Sequence, residues 1–292
     1  MYSVVAMNKL QRILLAVDFA PQSVVMAHRA RTLAEASKAE IVAVHAVRPF
    51  AMMTEGMDVP GAVVLDWYEA QKPVLERQLQ SFCEQHLAGC EFRALLVEGE
   101  PASEIVRLAA AEDVDLVMMA THGFGAFRRF ILGSVAAKVL HDAPVPVLTS
   151  AHAKEPGPGR EAFRKIVVGV DLGPRTADVL AAAEEVGAAE VVVVHALPVV
   201  GDGIELSFDP SWEFALKAAV EVTLKEAMEA AGLTAETVME PGSPAKLVHR
   251  VAAEWGADLV VIGRHSDDTI LGRLTTHAYA IVRESPCPVL SV

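Results

Sequence analysis

The segment RILLAVDFAP at 12–21 returns as KIVVGVDLGP at 165–174, and EIVAVHAVRP at 40–49 returns as EVVVVHALPV at 190–199. Further on, EPASEIVRLAAAEDVDLVMMATHG at 100–123 is matched by GSPAKLVHRVAAEWGADLVVIGRHS at 242–266, and HDAPVPVLTS at 141–150 by RESPCPVLSV at 283–292. The chain is two copies of one unit, and any fold assigned to it has to be built twice. Its 292 residues give each copy enough length to bury a core of its own. Between the copies, AHAKEPGPGREAF at 151–163 is rich in Pro, Gly and charge and has no apolar periodicity, as an exposed linker does. The expected organisation is therefore a first domain over 1–152, a linker over 153–163 and a second domain over 164–292.

Within each copy, short continuous apolar runs such as ILLAV and VVVVH read as strands buried on both faces, which is the pattern of a parallel sheet. In the first copy, strands are expected near 12–17, 40–46, 92–97, 115–120 and 145–149, with helices near 22–37, 66–88, 101–112 and 134–142. That alternation predicts an α/β fold of two tandem doubly wound, Rossmann-like sheets with five strands each. Ligands of such sheets lie at the carboxyl ends of the strands, where Asp18 and Asp171 are placed. The composition agrees: apolar residues make up 52% and aromatics only 5%, so the core is aliphatic, as sheets covered by alanine-rich helices require. Both copies end on a proline pair, Pro144 with Pro146 and Pro286 with Pro288, which suits entry into an edge strand. Pairing of those edges predicts an intrachain pseudo-dimer, and the same logic allows a homodimer.

Charge and cysteine usage narrow the function. A formal net charge of −13 opposes binding to phosphate backbones, so nucleic acid is not an expected partner. Residues 1–150 carry 13 basic and 17 acidic groups, and residues 151–292 carry 12 and 21, so the acidity is concentrated in the second copy. The start, MYSVVAMNKLQR, has no basic-then-apolar leader, and no apolar run is long enough to span a bilayer. The expectation is a cytoplasmic protein without a membrane partner. Cys83, Cys90 and Cys287 form no CxxC pair, and no HExxH is present, so neither a disulfide framework nor a protein-held metal is indicated.

One stretch carries most of the chemistry. ATHGFGAFRRFILGSVAAKVL at 120–140 runs from a strand end through glycines into a helix, without the lysine of a G-x-x-x-x-G-K-[ST] loop. Gly123 permits close backbone approach to a phosphate, and Gly133 and Ser134 open a helix whose free N–H groups attract an anion. Arg128 and Arg129 lie in the same loop, where they either offset phosphate charge or remain solvated surface groups.

Together, the VD ending each first strand, the VHA of the second, DLVMMATHG, DLVVIGRH and LGSVAAKVLHDAPVPVL resemble the universal stress proteins in their tandem form. Nucleotide-binding members of that family share Gly, two residues, Gly, nine residues, then Gly followed by Ser or Thr. The first copy reads Ala120, two residues, Gly123, nine residues, Gly133, Ser134, with only the first glycine replaced. The resemblance implies an adenine-nucleotide site, for ATP, ADP or AMP, formed by Asp18, Ala46, Met119, Ala120, Gly123, Arg129, Gly133, Ser134 and Val135. Mg²⁺, if present, would be held by the phosphates and water. Three of these residues also have a plainer role: Asp18 as a turn or cap residue, Ala46 and Met119 as core. His45 and His195 close matched strands and are expected to be structural, as are His122 and His265.

In the second copy the frame is one residue shorter. Gly123 becomes Ser266, Gly133 becomes Thr275 and Ser134 becomes Thr276, while Asp267 and Asp268 stand where phosphates would lie. Gly263 restores the glycine missing from the first copy. One nucleotide per chain is expected, with the second copy degenerate. The function implied is an ATP-binding stress-response or regulatory protein rather than a dedicated enzyme. The alternatives are slow ATP hydrolysis and a partner-binding module that has lost its nucleotide. Finally, residues 48–71 form an unusually long connection, read as a cover over the crevice or as packing against the next helix.

Overall fold

The computed structural model describes residues 7, 9–48, 61–121, 132–150, 163–198, 211–264 and 275–292, the side chains of 61–69, 211–213 and 275–276 excepted. The chain divides into two compact units, the second beginning at Phe163. In the first unit the order is β1 (Arg12–Ala16), α1 (Pro21–Ser37), β2 (Glu40–Val47), α2 (Gly61–His86), β3 (Phe92–Glu98), α3 (Pro101–Ala111), β4 (Leu116–Ala120), α4 (Ser134–Asp142) and β5 (Val147–Ser150). The second unit runs β6 (Lys165–Gly169), α5 (Thr176–Val186), β7 (Glu190–Leu197), α6 (Ser211–Ala230), β8 (Glu236–Pro241), α7 (Pro244–Trp255), β9 (Leu259–Ile262), α8 (Thr275–Glu284) and β10 (Val289–Ser291).

Within each unit every strand pair is parallel, with order β3-β2-β1-β4-β5 in the first and β8-β7-β6-β9-β10 in the second. The order reverses at β1 and again at β6, so each unit has a crevice outside the carboxyl ends of its central strands. The apolar runs explain the middle of each sheet: Ile13, Leu14 and Leu15 are fully buried in β1, as are Ile166, Val167 and Val168 in β6. Each such side chain contributes roughly 2 kcal/mol of transfer free energy. On α1 the buried Met26, Ala27, Ala30, Leu33 and Ala34 recur at three- and four-residue steps, giving one apolar face that packs on β1, β2 and β4. Pro21 opens that helix at a position where its missing N–H costs nothing. Pro146 and Pro288 stand before β5 and β10 and lend only carbonyls to the ladders, accepting from Val117 N (3.0 Å) and Val260 N (2.9 Å).

Two devices fasten the amino ends of the strands, on the side away from the crevice. Asp115 accepts from Gln11 N (2.6 Å) and Arg12 N (2.8 Å), and Asp258 repeats this with Arg164 N (3.0 Å) and Lys165 N (3.1 Å). Glu40 joins Arg93 and, at 2.8 Å, Arg12, while Arg93 continues to Glu112 at 2.8 Å. The Arg93 guanidinium, with help from Arg12, outweighs burial and holds the Glu40 carboxyl below its ordinary value near 4.5. A lowered folded value means that the stabilisation is complete above pH 4.5 and disappears as the pH falls through the folded value. Glu40→Gln is therefore expected to melt earlier than wild type at pH 7, and the gap to close as the pH falls below 4.5 through the folded value; thermal scans from neutral to acid pH check it, and a gap independent of pH would refute the assignment.

Helix α2 differs from expectation. It begins at Gly61 rather than near 66, so 61–71 of the long connection is helical and not a loose cover; residues 49–60 lie outside the described residues. Cys83 and Cys287 are buried and Cys90 half-buried, none of the three in a disulfide, and burial pushes the Cys83 thiol up to about 11.

Candidate functional site

At the carboxyl ends of β1, β2 and β4 the first unit opens into a cavity of about 380 Å³. Asp18, Ala46, Met119, Ala120, Gly133, Ser134 and Val135 all line it, and Gly123 and Arg129 lie outside the described residues, as do His122 and Arg128. The floor is made by strand ends. Met119 is buried in β4, Ala46 follows His45 on β2, and Ala120 closes β4.

Asp18 sits in the turn from β1 to α1. Its Oδ1 accepts from Ala20 N at 3.0 Å and from the Ser23 hydroxyl, and the turn carries Phe19 at φ 62°. The second unit repeats the device: Asp171 Oδ1 accepts from Gly173 N at 2.8 Å, with Leu172 at φ 58°. One oxygen of Asp18 is therefore a turn fastener. No described residue hydrogen-bonds to Oδ2, which leaves it available on the exposed rim. His45 Nδ1 pairs with Val17 O at 2.7 Å and His195 Nδ1 with Val170 O at 2.9 Å, so each ring ties two strand ends together. Phe19 lies 4.6 Å from the His45 ring, centroid to centroid, and holds it from the side.

The other wall is the start of α4. Gly133 is its N-cap, in extended conformation at φ −63° and ψ 146°, and its N–H donates to Thr121 O at 3.0 Å. A Cβ on Gly133 would lie 2.9 Å from that same carbonyl oxygen. Glycine is needed here for close approach to the end of β4, not for a positive φ. Among the described residues no side chain caps the helix, so the first-turn N–H groups and the positive end of the dipole lie at the cavity beside Ser134.

Sequence reading missed Ser23, Arg48, Ile105 and Thr121, which also line the cavity. Ser23 was signalled by its repeat, since Thr176 occupies the matching place. Arg48 pairs loosely with Glu100 at 3.8 Å and brings a cation to the cavity from a position with no counterpart charge in the second unit, where Pro198 stands. Glu100 also accepts from Ser103 N at 2.9 Å and from Lys138 at 3.4 Å; burial raises its carboxyl, but these bonds outweigh it and leave it below the usual range.

The second unit's crevice is smaller, about 200 Å³. Arg175, held by Asp178 at 2.9 Å, and Val179 stand in its wall. A Cβ on Gly263 would come within 3.1 Å of Val179 Cγ2 and 3.5 Å of Arg175 Cβ, so this glycine makes room for neighbouring side chains. Gly263 thus serves packing here. Helix α8 also starts at Thr275, so the residue matching the extended Gly133 is already helical. Residues 265–274, with Ser266, Asp267 and Asp268, lie outside the described residues. Among the described residues no group of three or more His, Cys, Asp or Glu could hold a metal ion, and no helix is long and apolar enough to cross a membrane.

Comparison with known proteins finds the universal stress protein family model matching residues 9–150 and again 162–292. The chain belongs to the universal stress protein family, as a tandem member. A universal stress protein of Thermus aquaticus is 37% identical over 139 residues, which is 47% of this chain and 95% of that protein. One from Methanocaldococcus jannaschii is 28% identical over 152 residues, 51% of this chain and 86% of its own. Both match about half of the chain, as single-unit relatives of a two-unit protein do. Among solved structures, a universal stress protein from Archaeoglobus fulgidus aligns over 98% of this chain and 96% of its own, with TM-score 0.61 and 18% identity. A Pseudomonas aeruginosa structure described as a putative universal stress protein aligns over 99% and 95%, with TM-score 0.64 and 17% identity. At that identity the structures speak for the fold of the universal stress protein pair and not for its ligand.

Proposed function

We propose that the N-terminal unit of this universal stress protein binds one adenine nucleotide, ATP, ADP or AMP, and that the protein acts as a nucleotide-responsive regulator rather than as a turnover enzyme. The supporting observation is the convergence of seven sequence-selected residues on one cavity that ends at the uncapped start of α4. Its volume of about 380 Å³ is of the size that small-molecule sites have. The base and ribose would lie over Ala46 and Met119, with Asp18 Oδ2 accepting from ribose hydroxyls. Phosphates would meet the N–H groups of Ser134 and Val135, the Ser134 hydroxyl and Arg48, with Gly123 and Arg129 completing the cradle. Mg²⁺ would be carried by the phosphates and water, because among the described residues Asp18 is the one carboxylate lining the cavity. The second unit, with a smaller crevice, helix residues where Gly133 would be and an acidic loop sequence, is assigned no nucleotide.

Mass spectrometry of the denatured, purified protein and calorimetric titration with ATP test this. One nucleotide per chain is expected. If none of ATP, ADP and AMP binds below about millimolar, the proposal fails. A steady turnover of ATP abolished by Asp18→Ala or Ser134→Ala would make the protein an enzyme instead.

A further inference from the structure

The first unit holds a second constellation that the nucleotide cavity does not use. His28, in the middle of α1, and His86, the last residue of α2, point their rings at each other, with His28 Nε2 and His86 Nδ1 3.2 Å apart. The ring centroids are 5.2 Å apart and the planes are inclined at 55°. A straight N–H···N bond of this length would set the centroids about 5.5 Å apart, so the two nitrogens are aimed to one side of the line between them. Two imidazoles on a tetrahedral ion, with metal–nitrogen bonds of about 2.0–2.1 Å, place their nitrogens about 3.3 Å and their centroids about 5.2 Å apart. Both observed separations fit that arrangement.

From this geometry we infer that His28 and His86 form a two-imidazole site for a divalent transition-metal ion, bridging α1 and α2. In the absence of metal, one proton held between the nitrogens serves the same place, one ring donating and the other accepting. The ion takes the place of that proton and accepts a lone pair from each ring, and the displaced proton moves to the outer nitrogen of the ring that held it, so both imidazoles stay neutral. Both residues are half-buried, so the rings are held by their surroundings while still reaching the surface. Phe82, one turn before His86, lies 4.7 Å from the His86 ring and supports it. Each ligand therefore stands on a helix that is already packed, and little ordering is left to be done at binding. Imidazole donors select Cu²⁺ and Zn²⁺ over Mg²⁺, so this site is chemically separate from any Mg²⁺ carried by nucleotide phosphates.

The test uses the full chain, stripped of metal and nucleotide, titrated with Zn²⁺ by calorimetry and with Cu²⁺ followed by electron paramagnetic resonance. The expected result is one micromolar-range site per chain with nitrogen hyperfine structure in the Cu²⁺ spectrum, unaffected by millimolar Mg²⁺. His28→Gln and His86→Gln should each weaken it by at least about tenfold, whereas His141→Gln, at an exposed histidine, should not. Zn²⁺ should raise the melting temperature of wild type and not of either variant. In the unmutated protein, one equivalent of Zn²⁺ should shift the ring-nitrogen resonances of His28 and His86, so the decision does not depend on the variants folding. Wild-type titration behaviour in both variants, or unmoved resonances for these two rings, would overturn the inference.

Discussion

Gly133→Arg is expected to reduce ATP affinity by at least about 100-fold, the equivalent of about 2.8 kcal/mol. The position has no room for any side chain: a Cβ there meets Thr121 O at 2.9 Å, a backbone atom that cannot swing aside. Thr121 is itself buried and tied to Ser150 O through its N–H, so the end of β4 does not give way; the start of α4 must move instead. Moving it breaks the 3.0 Å bond from Gly133 N to Thr121 O and carries the Ser134 and Val135 N–H groups off the cavity. Gly133→Ala should show the steric part alone, with a loss of about tenfold. The arginine variant has a built-in control of sign. If sterics were unimportant, a new cation beside polyphosphate would strengthen binding, so an equal or tighter Kd by calorimetry would refute the account. Thr275→Arg places the same side chain at the matching position of the second unit and is expected to leave ATP binding unchanged. A loss there as well would put a nucleotide in the second unit.

How far this site could be read beforehand depended on which link of the argument a residue belonged to. The repeat and its apolar runs placed β1, β2, β4 and α4 within a residue or two, because strands buried on both faces leave little freedom in register or length. The start of α2 was misjudged. Gly61 and the β-branched pair Val63 and Val64 are poor helix formers, and propensity hides a helix that its context imposes. Asp18 was legible as a site residue but not in its division of labour, since the Oδ1 bonds to Ala20 and Ser23 depend on a positive φ at Phe19 that no pattern announces. Gly263 shows the converse. It looked like a ligand-frame glycine because of its spacing, and its reason is the bulk of Val179 and Arg175, which stand at the start of α5. Arg48, just past the end of β2, had no motif around it; only the fold brings it to the cavity wall.

Asp115→Ala and Asp258→Ala are expected to be the most destabilising changes at the far end of the sheets, each costing about 2 kcal/mol. Asp115 joins β4 to β1 three times: its carboxylate accepts from Gln11 N and Arg12 N, and its own N–H donates to Arg12 O at 2.9 Å. Asp258 does the same for β9 and β6, with its N–H donating to Lys165 O at 2.9 Å. Alanine keeps the backbone bond and removes the charged acceptor, leaving two strand-start donors to find water. Each lost bond to a carboxylate is worth about 1.5–3 kcal/mol when buried, and the exposure of Gln11 and Arg164 halves the sum. For units of this size that corresponds to a fall of about 5 °C in melting temperature. Asn, which retains an acceptor, should recover about half of it. Nucleotide separates the two variants. ATP at about 100 times its Kd stabilises the unit that binds it by about 2.7 kcal/mol, enough to offset Asp115→Ala in the first unit and without direct effect on Asp258→Ala in the second. Equal rescue of both by ATP in calorimetric scans, or of neither, would contradict a single site in the N-terminal unit, while unchanged melting in both would remove the carboxylate clamp from the account of stability.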